Sequence, residues 1–174
     1  MNHRFLLSAA LLACIGTASA QQAQPSQPAP RPQAQQQPAA RPAQQQLTPQ
    51  QQAQLAKQNA DMTQAALRVM QMVDANRIGE IWDGASPTMK RLVTRDDFVK
   101  QITIDRNRLG KVATRGKSVV SRAQYPAGAQ VPQGLYLNVA TPTKFANSQQ
   151  PVRELVSFRL ENDKTWRVSG YSLR

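Results

Sequence analysis

Histidine and cysteine occur once each in this chain of 174 residues, as His3 and Cys14. Both lie in an N-terminal stretch that reads as a removable export signal, so the processed chain would have neither. That excludes a disulfide even in an oxidising compartment. It excludes a zinc site of the usual nitrogen and sulfur type, and any Ser-His or Cys-His nucleophile system. Acid–base work would fall to carboxylates, lysine or tyrosine. No cofactor is implied by the residues that remain. Aromatics are 5% of the chain, so the core is modest. Acids are few as well: 10 against 22 lysines and arginines, a net charge of +12. No apolar run is long enough to span a bilayer.

The export signal has the usual three parts. Asn2-His3-Arg4 is a short basic start, Phe5 to Ile15 is apolar, and Ala18-Ser19-Ala20 is an A-x-A cleavage site before Gln21. The expected destination is the periplasm or the medium after cleavage near Ala20. A lipid anchor on Cys14, through the lipobox-like Leu11-Leu12-Ala13-Cys14, is the competing reading. Residues 21–47 are nearly all Gln, Ala and Pro, with Arg31 and Arg41. They lack apolar periodicity and cannot offset chain entropy by burial. They read as a disordered tether reaching about 80 Å when extended. Residues 48–174 remain as a single domain.

That domain begins with helices. Thr48-Pro49-Gln50-Gln51 is a helix start with Thr as N-cap and Pro in the first turn. Leu55, Met62, Ala66, Val69 and Val73 then fall on one face as far as about Ala75. A short helix carries Ile78, Ile81 and Trp82 and ends at Gly84, and Ser86-Pro87 opens a brief turn through Leu92. Thr94, with Asp97 three residues on, starts a third helix, which buries Phe98, Ile102 and Leu109 and stops at Gly110.

Strands follow. One is expected over Thr114–Tyr125 and one over Gly134–Thr143, with Pro142 marking an end or an edge. A C-terminal hairpin alternates Val152, Glu154, Val156, Phe158 and Leu160 with Arg153, Leu155, Ser157 and Arg159. Its return strand alternates Trp166, Val168 and Gly170 with Arg167, Ser169 and Tyr171. A three-residue turn, Asn162-Asp163-Lys164, puts Trp166 opposite Leu160, Val168 opposite Phe158 and Gly170 opposite Val156. Lys164 then takes positive φ. Glu154 falls on the apolar face, opposite Ser172. Arg159 faces Arg167, which is destabilising unless both are solvated or an anion lies between them.

Helices first and strands after give an α+β class: about three N-terminal helices on a curved four-stranded antiparallel sheet. The helices would cover the face bearing Trp166, Phe158 and Glu154.

Several short runs resemble one bacterial envelope family. They are Ile81-Trp82, Ala85-Ser86-Pro87, Phe98, Arg108-Leu109-Gly110, Gly134-Leu135-Tyr136, Lys144-Phe145-Ala146-Asn147, Val152-Arg153-Glu154 and, most specific, Trp166-Arg167-Val168-Ser169-Gly170-Tyr171. The chain from about Met62 to Arg174 is similar to the domain of unknown function 4019 family; Pro142 and Lys164 depart from its pattern. The resemblance implies a cystatin-like cone of the nuclear-transport-factor-two superfamily. That fold hosts enzymes and plain binding modules alike, so it implies no activity.

The candidate site residues divide into two groups. Trp82, Tyr136, Glu154 and Trp166 could line a pocket inside the cone, with Glu154 as an acid of raised pKa. As core residues they would do nothing but pack. Glu154 would then pair with Arg106, Arg108 or Arg115. Asp61, Asp74, Glu80 and Asp83 read as helix-surface charges, and Glu161 and Asp163 as turn residues. Arg153, Arg159 and Arg167 form the second group, a surface for anionic partners. Exported proteins rarely meet nucleic acid, so anionic envelope components or another envelope protein are the expected partners. The oligomeric state is open, a dimer included. A non-catalytic binding or scaffold module is the expected function. The alternative is a small-molecule carrier or enzyme using the cone interior with Glu154.

Overall fold

A capping box opens the first helix, as its sequence predicts. Thr48 Oγ1 accepts from the Gln51 amide at 3.3 Å, and Gln51 Oε1 accepts from the Thr48 amide at 2.9 Å. The computed structural model describes residues 47–174, all within one compact unit. The expected signal at 1–20 and the expected tether at 21–47, Leu47 apart, lie outside the described residues. The helices are α1 (Pro49–Asp74), α2 (Ile78–Asp83), α3 (Pro87–Leu92) and α4 (Arg95–Leu109). The strands are β1 (Val112–Arg115), β2 (Val119–Tyr125), β3 (Gly134–Phe145), β4 (Val152–Leu160) and β5 (Trp166–Leu173). The class is α+β as expected, but with four helices where about three were expected and a five-stranded antiparallel sheet where four strands were expected. No helix among the described residues is long and apolar enough to cross a membrane.

The fifth strand has a local cause. The expected strand Thr114–Tyr125 breaks at Gly116-Lys117-Ser118, and both pieces pair with β3. The break lies beside Pro142, which sits inside the central strand and not at its end. The Gly116 amide donates to the Pro142 carbonyl at 2.8 Å. In an antiparallel ladder a residue's N–H and C=O point the same way. The missing N–H of Pro142 therefore faces the β1–β2 junction, where no ladder bond is lost. A Cβ on Gly116 would lie 2.9 Å from the proline Cγ, so the crossing needs glycine.

The hairpin keeps its predicted turn but not its whole register. Leu160 pairs with Trp166, Arg159 with Arg167 and Phe158 with Val168, and Lys164 has φ 62°. Beyond Phe158 the register slips by one: Ser157 faces Gly170, Val156 faces Tyr171 and Glu154 faces Leu173. Ser169 is the extra residue of a β-bulge. The slip corrects the expected pairs Gly170 with Val156 and Ser172 with Glu154. It also moves Tyr171 from the outer face to the helix-facing one.

The core lies between that face and the helices. Leu137, Val139, Val156 and Phe158 of the sheet pack with Met62, Ala66, Met70, Val73, Ile78, Ile81 and Ile102. Leu137, Val139, Val156 and Met70 are wholly buried. Each such side chain contributes about 1.5–3 kcal/mol through burial. Burial on α1 starts at Met62, so Leu55, expected on the buried face, remains half-exposed. The Ser86 amide donates to Val168 O at 2.8 Å and so covers part of edge strand β5.

Candidate functional site

Glu154 is fully buried, and four hydrogen bonds converge on it. Arg115 holds it as a fork: Nε donates to Oε2 at 2.9 Å and Nη2 to Oε1 at 3.2 Å. Thr143 Oγ1 donates to Oε2 at 2.9 Å, and the Tyr171 hydroxyl to Oε1 at 2.6 Å. Each carboxylate oxygen therefore accepts twice, which uses the acceptor capacity of the group. Three strands supply the donors: β1 brings Arg115, β3 Thr143 and β5 Tyr171. Of the three arginines expected as partners, the structure selects Arg115.

The network continues to the end of α1. Arg115 turns its other edge to Asp74, with Nη1 to Oδ2 at 2.7 Å and Nη2 to Oδ1 at 3.0 Å. Arg106 of α4 donates to the same Asp74 at 2.8 Å and lies over the Phe145 ring, 4.7 Å from its centroid. The sequence alone suggests a surface charge at Asp74, and the structure places it inside this network instead. It is the last residue of α1, where an acid opposes the helix dipole unless a cation answers it. That position was the available signal. Burial opposes the charge on Arg115, but the bonds to Asp74 and Glu154 outweigh it and hold its pKa above the ordinary value. Burial, then the charge of Glu154, pushes the Tyr171 phenol up. The four bonds leave Glu154 no free lone pair.

The other pocket candidates do not gather around Glu154. Tyr136 points from the opposite face of β3. It donates to Pro132 O at 2.8 Å and meets Tyr125 edge-on at 5.4 Å. Trp82 donates to Val93 O at 3.1 Å under the Lys90 ammonium. Trp166 borders a cleft of about 580 Å³ against Leu55 and Met62 of α1. Five clefts open at the surface of the described domain, and Glu154 lines none of these five.

Arg159 and Arg167 do face each other, and the chain itself supplies the anions. Arg159 Nη1 donates to Glu161 Oε2 at 2.5 Å, and Arg167 Nη2 to Asp163 Oδ2 at 2.7 Å. Glu161, expected to serve only the turn, also accepts from the buried Ser86 hydroxyl. The Asp163 carboxyl titrates at about 2, lowered first by Arg167 and then by the Thr165 amide. Arg153 lies at the far end of β4 and is in no ion pair among the described residues.

The family model for a protein of unknown function, DUF4019, matches residues 65–171. The chain belongs to the DUF4019 family. The family span contains Asp74, Arg106, Arg115, Thr143 and Glu154 and closes on Tyr171, so the buried network lies wholly inside the DUF4019 domain. No curated protein and no solved structure matches the chain.

Proposed function

We propose that this DUF4019 protein is a non-catalytic binding or scaffold module of the bacterial envelope. In this reading an N-terminal signal is cleaved near Ala20. The α+β domain is a cystatin-like cone, closed by its own side chains, that meets anionic envelope components or another envelope protein through its surface. The observation that carries the reading is the saturation of Glu154. A pocket acid needs an oxygen open to a ligand or a proton, whereas both oxygens of Glu154 are taken by Arg115, Thr143 and Tyr171. The buried Leu137, Val139, Val156 and Met70 support it, because they fill the space a carrier would leave open. The positive balance of the chain favours anionic partners. Carbodiimide coupling of an amine to the native protein, read by peptide mass mapping, tests the reading. Glu154 stays unmodified if the module is closed, and its labelling would favour the carrier or enzyme.

A further inference from the structure

A cleft of about 610 Å³ lies between the α2–α3 segment and the tip of the β4–β5 hairpin. Its walls are charged. Lys90, Arg91, Arg159 and Arg167 line it, with Asp83, Glu161 and Asp163. Each of these acids is already engaged by the chain. Glu161 accepts from Ser86 and Arg159. Asp163 accepts from Arg167 and the Thr165 amide. Asp83 accepts from Arg95 at 3.1 Å.

Two cations are not matched in this way. Lys90 donates to the neutral Asp83 carbonyl and stands 4.9 Å above the Trp82 ring. Arg91 donates only to the Thr88 hydroxyl, at 3.2 Å. Neither is in an ion pair with any described carboxylate. Their neighbours are held still: the Trp82 ring is tied to Val93 O, and the Ser86 amide to Val168 O. The cleft thus presents two cations without a carboxylate partner, and the acids beside them are each paired with another cation. Its volume falls in the range of small-ligand sites.

We infer that this cleft binds the anionic group, phosphate or carboxylate, of a sugar-sized ligand, with Lys90 and Arg91 as the contacting cations. The inference rests on the binding-module reading and gives that module a ligand site. Arg159 and Arg167, paired one to one with Glu161 and Asp163, form a wall without net charge behind the contact. A guanidinium and an ammonium lining one cleft suit either anion, so the test must separate the two.

The experiment titrates the isotope-labelled full chain at constant ionic strength with glucose 6-phosphate, with glucuronate and with glucose, read by amide shifts. Saturable shifts at Gly84, Ala85 and Asn162 with either charged sugar, and none with glucose, are expected. The tighter of the two identifies the anion. The double variant Lys90→Gln with Arg91→Gln should weaken binding at least about tenfold, while Lys117→Gln leaves it unchanged. The inference is overturned by an absence of saturable shifts. It is equally overturned by shifts that survive the double variant or spread over Lys117, Lys144 and Arg153. Carbodiimide labelling of Glu154 would undo the module reading itself. A silent cleft with Glu154 unlabelled removes only this site.

Discussion

Tyr171 donates its phenolic hydrogen to Glu154 across 2.6 Å, and it does so because Ser169 is one residue too many for the β4–β5 ladder. Without the bulge, Tyr171 would lie on the outer face with Arg167. The bulge converts an exposed aromatic into the fourth donor of a buried carboxylate.

Tyr171→Phe therefore keeps the ring and removes one hydrogen bond to a charged acceptor. A loss of about 1.5–3 kcal/mol is expected in chemical unfolding at neutral pH. Alkaline behaviour gives an independent check. The folded Tyr171 pKa is raised, so its contribution is complete below the unfolded value and is lost as pH rises above about 10. The decline in stability above that pH should be shallower in Tyr171→Phe than in wild type.

Gly116→Ala tests the strand break. The new Cβ would stand 2.9 Å from the Pro142 ring, and overpacking of this kind costs about 1–3 kcal/mol. Combining it with Pro142→Ala removes the ring and should recover most of the loss. If the double variant is as unstable as the sum of the two single ones, the proline is not what shapes the junction.

Asp163 offers a residue-level pH test. Carbon-detected titration of its carboxyl should give a midpoint of about 2, below the ordinary 3.8. Arg167→Gln removes the first cause and should bring the midpoint back toward the ordinary value. Whatever stability the pair contributes is present above the ordinary value and is lost as pH falls through the folded one.

The hairpin shows how far the sequence is legible. Alternation and turn chemistry place Leu160 against Trp166 and give Lys164 its positive φ, as observed. They fail at Ser169, because a period-two pattern assumes that no residue is inserted. The one sign of the insertion was Gly170, a glycine inside a strand. Pro142 misled in the same manner: a proline in a strand argues for an edge, yet a central strand tolerates it where the neighbouring strand is interrupted. Glu154 was placed correctly on the inner face by alternation, and Arg115 was among its expected partners. Asp74 and Tyr171 were missed, since a network drawn from a helix end and three strands depends on contacts between segments far apart in sequence.

The most direct measurement is urea unfolding of Glu154→Gln beside wild type at neutral pH. A fully buried carboxylate with four donors is structural, and replacing it strips the mostly buried Arg115 of one of its two charge partners, leaving only Asp74. The variant should lose about 3 kcal/mol, the usual cost of removing one member of a buried ion pair. A Glu154→Gln protein as stable as wild type, or more stable, would contradict the account and return Glu154 to the role of a pocket acid.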